Sequence, residues 1–305
     1  MRALVRAEVA AERLARRGAR PVVGDLLGQC DLMEAMSGCV LAYHAAGLNH
    51  LCMPDPKPLF RVNVGGTLRV IEAAARAGVR RVVYTSSAAT LGEAKGSIGD
   101  ESSVHRGWFL SAYEHSKYEA ELAAQEAGKR LGVEVVCVNP SSVQGPGRTS
   151  GTARWLIRYA NGRLRWMIQT RVSLVDIVDC TEAHLRAATR GLPGQRYVVS
   201  GPSRPIKELI QIVGSVTGRS YPVRFVPAAP AVALGSTVGT AFKLFGKRPP
   251  VCREMIRTLA HGHAYDGSRA ARELGFSYTP VEQSVQRAMS WYSEHGYLDP
   301  PLAEA

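Results

Sequence analysis

A tyrosine and a lysine one helical turn apart are the residues of this sequence best suited to acid–base chemistry. They are Tyr113 and Lys117 of the segment YEHSK, and Ser87 precedes Tyr113 by 26 residues. Residues four apart lie on one face of a helix, and a nearby cation favours a phenolate. We therefore expect Lys117 to lower the pKa of Tyr113, so that its hydroxyl can exchange protons near neutral pH. Ser87 is expected to hydrogen-bond the same substrate oxygen.

The elements that must position these residues form an alternating pattern. The β-branched runs RALVR, RPVVGD, VLAYHAA, RRVVYTSS and VEVVCVNP alternate with helical patterns over 7–17, 32–36, 59–77 and 113–131. Gly78 follows the third pattern, as a left-handed helix cap requires. This order predicts an α/β fold of the Rossmann-like, doubly wound type, with a parallel sheet between helices. In such sheets ligands bind at the carboxyl ends of strands, where Ser87 stands.

The rhythm loosens after about residue 145 into segments punctuated by glycine and proline. We expect a first domain over 1–145 that carries the three candidate catalytic residues. Residues 146–305 are expected to form a smaller, partly helical region for the substrate, with segments at about 170–200 returning to the sheet. The least polar long stretch, 228–246, contains glycines, Ser236 and Lys243, so it predicts a lid rather than a membrane span.

The composition restricts the class of protein. The 305 residues include 38 basic and 26 acidic side chains, and the resulting charge of +12 favours anionic partners. The basic residues are mixed with acidic ones and no nucleic-acid-binding motif is present, so no nucleic acid is expected. The basic start of the chain lacks an uninterrupted apolar run, which favours a cytoplasmic protein. The six cysteines show no CxxC spacing, and we expect reduced thiols.

A series of short motifs recurs in a fixed order along nearly the whole chain. They are GDL (24–26), HAAG (44–47), NVGGT (63–67), VVYTSSAATLG, YEHSK, NPSSVQGPG, SLVDIVD (173–179) and YDGSRAARELGF (265–276). In this order they resemble the extended short-chain dehydrogenase/reductase, or NAD-dependent epimerase/dehydratase, family. The resemblance is to its dihydroflavonol-reductase-like and 3β-hydroxysteroid-dehydrogenase-like branch.

The resemblance implies a role for each candidate residue. Tyr113 is the acid/base, Lys117 binds the nicotinamide ribose and lowers the pKa of Tyr113, and Ser87 polarises the substrate oxygen. The enzyme would interconvert a ketone and a secondary alcohol, and could form a homodimer. The apolar composition of the predicted lid indicates that the substrate is a fairly apolar small molecule. The implied cofactor-binding residues are Arg6, Asp25, Leu26, Ala45, Ala46, Gly47, Thr85, Ser86, Tyr113, Lys117, Pro140, Ser141 and Ser142.

The cofactor implied by Arg6 is NADP, with NAD as the alternative. Arg6 closes the first strand, where an arginine accommodates a 2′-phosphate and a carboxylate binds a free ribose hydroxyl. Asn63 is expected to tie backbone across two strands rather than to touch substrate.

Family members begin with a strand, a GxxGxxG turn and a helix that holds the pyrophosphate, whereas Met1 here leads straight into what resembles the second strand. We therefore expect a gap in the sheet between RALVR or VVGD and VLAYHAA. A start codon assigned too late would explain it, and we favour this because the catalytic residues are present. The alternative is a truncated, non-catalytic dinucleotide-binding or scaffold paralogue.

Other readings of the sequence remain open or are disfavoured. A nucleotide-sugar epimerase or dehydratase would need anchors for a diphosphate, which Arg154, Arg158, Arg163, Arg165 and Arg171 could supply. Asp179 is expected to cap the helix that follows it. His261 and His263 show no third ligand or nearby carboxylate, so no metal site is expected. The segment GPGRTSGTA (145–153) departs from phosphate-loop spacing and predicts a turn near the substrate.

Overall fold

Eleven strands are present in the described part of a computed structural model of the chain, which covers residues 1–28, 31–227, 230–231, 242 and 251–302. They are β1 (Arg2–Val5), β2 (Arg20–Val23), β3 (Leu41–His44), β4 (Arg81–Thr85), β5 (Glu134–Pro140), β6 (Ser142–Gln144), β7 (Trp166–Ile168), β8 (Arg171–Asp176), β9 (Arg196–Val199), β10 (Ser203–Pro205) and β11 (Arg224–Val226). The segment predicted as a lid, 228–246, lies almost entirely outside the described residues.

The α-helices of the described ranges alternate with these strands. They are α1 (Glu8–Ala15), α2 (Leu32–Met36), α3 (Lys57–Phe60), α4 (Gly66–Arg76), α5 (Ala112–Leu131), α6 (Thr152–Ala160), α7 (Ile177–Arg190), α8 (Ile206–Thr217), α9 (Arg253–His261), α10 (Ser268–Leu274) and α11 (Val281–Glu294). None of the helices in this part of the chain is long and apolar enough to span a bilayer.

The main sheet has the order β3-β4-β5-β9, and all of its strands are parallel. The predicted Rossmann-like α/β fold is therefore confirmed. Strands β1 and β2 pair with each other in parallel and form a separate sheet. Within the described residues no ladder joins them to β3, so the expected gap is observed.

Alternating side chains of β4 build a core on each face of the main sheet. Val82 and Tyr84 pack with residues of α4 and α5, whereas Val83 packs with residues of α7 and α10. Successive residues of a strand point to opposite faces, so one strand supports both helical layers. Fully burying an apolar side chain of this size stabilises a fold by about 1.5–3 kcal/mol.

The helix predicted over 59–77 is interrupted. A π-helical segment, Arg61–Gly65, separates α3 from α4, and it contains the buried Asn63. Such segments are common at functional sites because they change the direction of a side chain. The cap is as predicted: Gly78 has φ 73°, which is the left-handed region.

Residues after β5 form a second core. Strand β8 lies between β6, which is parallel to it, and β10, which is antiparallel, and β7 pairs with β11. Side chains of α6, α8 and α11 form a shared hydrophobic cluster. Strand β9 joins the main sheet beside β5.

The expectation of six reduced cysteines is wrong for two of them. Cys52 and Cys252 form a disulfide whose Cα atoms are 5.6 Å apart, although 200 residues separate them in sequence. Such a pairing depends on tertiary proximity, which cysteine spacing does not reveal. Cys39, Cys137 and Cys180 are free thiols.

Candidate active site

The first turn of α5 positions Tyr113 and Lys117. Ser111 is the N-cap, and its side-chain oxygen accepts a hydrogen bond 3.1 Å long from the backbone N–H of Glu114. Such a cap fixes the start of a helix by satisfying an amide that has no partner within it. Tyr113 is therefore held in the first turn, and Lys117 lies one turn further along the helix, with its side chain buried.

Ser87 lies just beyond the carboxyl end of β4, where the chain turns into a 3₁₀ helix, Ala88–Leu91. Its Oγ accepts a hydrogen bond 3.3 Å long from the N–H of Ala89, and its carbonyl accepts one from Nδ2 of Asn139 on β5. The Ser87 side chain also lowers the pKa of Tyr113 through a hydrogen bond. The structure thus brings the two predicted hydroxyls together.

The electrostatic surroundings of Tyr113 differ from the sequence-based expectation. Burial raises the pKa of Tyr113, while the hydrogen bond with Ser87 and the positive charge of Arg148 lower it. The net direction is upward, and the prediction that Lys117 lowers the pKa of Tyr113 stays a prediction. The amine of Lys117 donates to groups of β4.

Lys117 is held by two hydrogen bonds to β4. Its Nζ donates to the Tyr84 hydroxyl at 2.8 Å and to the Thr85 carbonyl at 2.7 Å, and it lies 4.5 Å from the centre of the Tyr84 ring. An ammonium group has three donors, so one remains for a ligand. Burial lowers the pKa of Lys117 to about 8, although the charge of Glu121 acts in the opposite direction.

Arg148 is a functional candidate that sequence reasoning missed. It follows β6 in the predicted turn near the substrate, and its Nε is buried without a hydrogen-bond partner among the described residues. A buried guanidinium N–H without an acceptor is costly, so it favours an oxygen-bearing ligand. The position of Arg148 within a segment rich in glycine and proline does not indicate that its charge lowers the pKa of Tyr113.

Glu121 is a second missed residue, one turn beyond Lys117. This carboxylate is 1% exposed and accepts hydrogen bonds from Ser86, Thr90 and Asn139, while Arg196 lies 3.0 Å from its other oxygen. The hydroxyl of Ser86, a predicted cofactor-binding residue, is therefore engaged within the protein. Glu121 thus joins α5 to the carboxyl ends of β4 and β5.

The loop after β3 contains the predicted small residues Ala45, Ala46 and Gly47. Asn63 holds this loop, since its Oδ1 accepts from the N–H of Leu48 at 2.7 Å and its Nδ2 donates to the Leu48 carbonyl at 3.0 Å. Asn63 also donates to Ser116 on α5 at 2.9 Å. Its role is structural, but it ties a loop to a helix rather than two strands. A Cβ at Gly47 would lie 3.2 Å from Asn63 Oδ1, so the approach is close.

The residues predicted beside a nicotinamide ring follow β5. Pro140 ends that strand, and the Oγ of Ser141 is buried with no hydrogen-bond partner in the described part of the chain. Ser142 begins β6, and its hydroxyl donates to Thr152 at 2.9 Å. Ser141 therefore offers a side-chain hydroxyl to a ligand, while that of Ser142 is already engaged. The Thr85 hydroxyl likewise bonds His184 at 2.8 Å.

The remaining predicted cofactor residues lie on the separate β1–β2 sheet. Arg6 is exposed directly after β1. Asp25 follows β2 and accepts a hydrogen bond from the N–H of Leu27 at 2.7 Å. The side chain of Leu26 is 8% exposed and packs in a small cluster with Leu32 and residues of α4.

These placements fit a nicotinamide dinucleotide at the carboxyl ends of the parallel strands. Gly47 leaves space only for backbone, while Lys117 and Ser141 hold unused donors near the ends of β4 and β5. A ribose offers hydroxyl partners for such groups. Lys117 would hold the nicotinamide ribose, and Ser141 would lie beside the ring.

Two sequence-based interpretations outside this cluster need correction. Asp176, not Asp179, caps α7, and its Oδ1 accepts from the N–H of Val178 at 2.7 Å. Asp179 instead accepts from the N–H and hydroxyl of Thr279. A carboxylate does lie near His263, because Glu93 Oε1 is 2.6 Å from its Nδ1.

Comparison with known proteins agrees with this geometry. Residues 2–200 match the model of the NAD dependent epimerase/dehydratase family. A dihydroflavonol 4-reductase-like protein of Synechocystis sp. is 31% identical, covering 98% of this chain and 89% of that protein. Sterol demethylase protein B of Methylococcus capsulatus is also 31% identical, covering 90% and 85%.

The solved structure of gox2253 is similar over nearly the whole chain. It has a TM-score of 0.84 and 28% sequence identity, and the alignment covers 97% of this chain and 91% of that one. Fold, site geometry and the match over 2–200 lead to one conclusion. The chain belongs to the NAD-dependent epimerase/dehydratase family, the extended short-chain dehydrogenases/reductases, whose members are NAD(P)-dependent oxidoreductase-type enzymes.

Proposed function

We propose that this protein is an NADP-preferring oxidoreductase that interconverts a ketone and a secondary alcohol on a fairly apolar small molecule. The observation that carries the proposal is that the Ser87 side chain and the charge of Arg148 both lower the pKa of Tyr113, with Lys117 buried one helical turn away. The relative in Synechocystis sp. whose name denotes a reductase supports net redox chemistry.

The protein's own groups handle the proton of this reaction. Burial raises the pKa of Tyr113, so its hydroxyl is protonated at neutral pH and donates to a substrate carbonyl oxygen. The Ser87 hydrogen bond and the charge of Arg148 then stabilise the phenolate left behind. When bound, a reduced nicotinamide supplies the hydride for the carbonyl carbon. The carbonyl thereby gains one hydride and one proton.

The preference for NADP rests on Arg6. Its exposed position directly after β1 is where a 2′-phosphate would lie in a dinucleotide-binding sheet. An arginine can bind such a phosphate through two parallel N–H bonds. NAD remains the alternative cofactor.

A nucleotide-sugar epimerase or dehydratase is the second candidate. Its proposed anchors are exposed, and several are already engaged: Arg158 donates to the Arg163 carbonyl, Arg163 lies 3.9 Å from Asp299, and Arg171 donates to the Ser203 carbonyl. These contacts favour the ketone reductase, since fewer donors are free for a diphosphate. A non-catalytic dinucleotide-binding or scaffold protein is the third candidate.

Three further predictions remain proposals. We place the dinucleotide-binding part over 1–145 and the substrate side over 146–305. We also propose a cytoplasmic location and a homodimer.

A cofactor-oxidation screen tests the proposed function. We expect the protein to oxidise NADPH in the presence of apolar ketones, and Arg6→Asp to shift its preference toward NADH because the 2′-phosphate loses its partner. Product formation would be followed by mass spectrometry. Interconversion of nucleotide sugars without net NADPH oxidation would identify the epimerase instead. Cofactor binding without turnover of either substrate class would identify the non-catalytic protein.

The affinity for NADPH is expected to fall as pH rises from about 7 to about 9. Burial lowers the pKa of Lys117 to about 8, so its charge is largely present below that pH and is lost above it. Fluorescence titration of NADPH at each pH measures the dissociation constant. Lys117→Arg is the matched variant, because its guanidinium has a pKa above about 12 and stays charged. If this variant showed the same pH dependence, Lys117 would not be its source.

A further inference from the structure

Glu93, His261 and His263 form a buried cluster that the proposed reaction does not use. Glu93 follows the 3₁₀ helix after β4, His261 ends α9, and His263 comes two residues later. Glu93 Oε1 lies 3.4 Å from His261 Nε2 and 2.6 Å from His263 Nδ1. The side chains of Glu93 and His261 are 1% and 3% exposed, and that of His263 is 18% exposed. Among the described residues, this is the one group of three such side chains close enough to share an ion.

Two atoms of the cluster are buried without hydrogen-bond partners in the part of the chain that the structure describes. They are Oε2 of Glu93 and Nε2 of His261. Leaving a buried acceptor or donor unpaired costs about 1–3 kcal/mol, and more for a charged group. The Oε1–Nδ1 hydrogen bond between Glu93 and His263 satisfies only part of the cluster. A ligand that accepts electron pairs from both orphaned atoms would remove this cost.

The ligand atoms come close to the spacing that one metal ion requires. All of them lie within 4.8 Å of one another. Zinc binds nitrogen and oxygen ligands at about 2.0–2.2 Å, so the ligands of one ion lie at most about twice that distance apart. Side-chain movements of a few tenths of an ångström suffice to bring the three atoms around one ion. Two imidazoles and one carboxylate form a donor set that zinc proteins use.

Tyr265 contacts the cluster through His263. Its hydroxyl lies 2.9 Å from His263 Nδ1, and its ring stacks on that of His263 with centres 5.6 Å apart. A tetrahedral ion held by three side chains has one further position, for a hydroxyl or a water molecule. The cluster joins the segment after α9 to the loop that follows β4.

We propose that Glu93, His261 and His263 form a binding site for one divalent transition-metal ion of the Zn²⁺ class. The ion fastens residues 261–263 to the loop around Glu93. Glu93 and His263 are 170 residues apart in the sequence. Its function is structural, and it is independent of the proposed oxidoreductase activity. The sequence alone does not indicate a metal site at the two histidines, because their carboxylate partner lies far away along the chain.

Metal titration of the chelator-treated protein tests this site. With ZnCl₂ in isothermal titration calorimetry we expect one equivalent to bind and the melting temperature to rise. Glu93→Gln, His261→Gln and His263→Gln should each weaken binding by at least about tenfold, because even changes to groups that only hydrogen-bond a metal ligand cost about 10–100-fold. Co²⁺ should give the visible absorption of a four-coordinate site, and His263→Gln should abolish it.

Matched controls separate this cluster from other ligands. His295→Gln removes an exposed histidine, and Cys39→Ser removes a partly exposed thiol; both should leave zinc affinity unchanged. If Glu93→Gln does not fold, the partly exposed His263 provides the usable variant. The cluster would be only a hydrogen-bonded clamp if the unmodified protein failed to bind one equivalent of zinc. The same conclusion would follow if all three cluster variants bound zinc as tightly as the unmodified protein.

Discussion

Replacing Tyr113 with Phe is expected to lower kcat by about 10²–10⁴-fold, the range that a positioned general acid contributes. The substitution removes the hydroxyl and keeps the partly buried ring. The dissociation constant for NADPH should stay nearly unchanged, because Lys117 is bound to Tyr84 and Thr85 rather than to Tyr113. Stopped-flow or steady-state cofactor oxidation gives kcat, and fluorescence titration gives binding.

Tyr118→Phe is the matched control, since it lies on the same helix and removes the same atom. Its ring contacts His105 and Phe109 away from the Ser87 pair, so kcat should change little. The direction of the reaction adds a pH criterion. Because burial raises the pKa of Tyr113, ketone reduction should be insensitive to pH near neutrality, whereas alcohol oxidation, which needs the phenolate, should accelerate as pH rises. If Tyr113→Phe and Tyr118→Phe had the same kcat, Tyr113 would not be the general acid.

The second large effect concerns the buried ion pair between Arg106 and Glu114, the residue after Tyr113. Their side chains are only 5% and 3% exposed. Glu114 also accepts a hydrogen bond from the N–H of Leu110 at 2.7 Å, and burial raises its pKa despite the nearby guanidinium. We expect Arg106→Met to destabilise the protein by about 3–5 kcal/mol, since it leaves a buried carboxylate without its cation. Chemical denaturation measures the free energy of unfolding.

Arg80→Leu is the control for the loss of an arginine. Arg80 is 75% exposed and lies 3.9 Å from Glu134, so its removal should cost less than about 1 kcal/mol. The double variant Arg106→Met/Glu114→Met should recover part of the loss, because no uncompensated charge remains. If Arg106→Met and Arg80→Leu lowered the free energy of unfolding by a similar small amount, the Arg106–Glu114 pair would not stabilise the first turn of α5.

Local patterns were sufficient for the elements that carry the catalytic residues. The β-branched runs and helical periods predicted β4, β5 and α5, and Gly78 marked the end of α4. The helix predicted over 59–77 shows the limit of such patterns. Its apolar spacing is helical throughout, but the bonds of Asn63 to Leu48 and Ser116 accompany a π-helical segment. Those partners come from elsewhere in the chain, so periodicity does not contain them.

The sequence by itself determined the parallel α/β fold and the candidate pair Ser87 and Tyr113, because short-range spacing specifies strands, helices and the face of a helix. Only the tertiary structure decided the surroundings of Tyr113 and Lys117. Lys117 is four residues away but bonds to β4, whereas Arg148 lies in a loop after β6. The Cys52–Cys252 bond and the approach of Glu93 to His263 likewise join segments 200 and 170 residues apart. Such contacts depend on how the elements pack, and no local spacing encodes them.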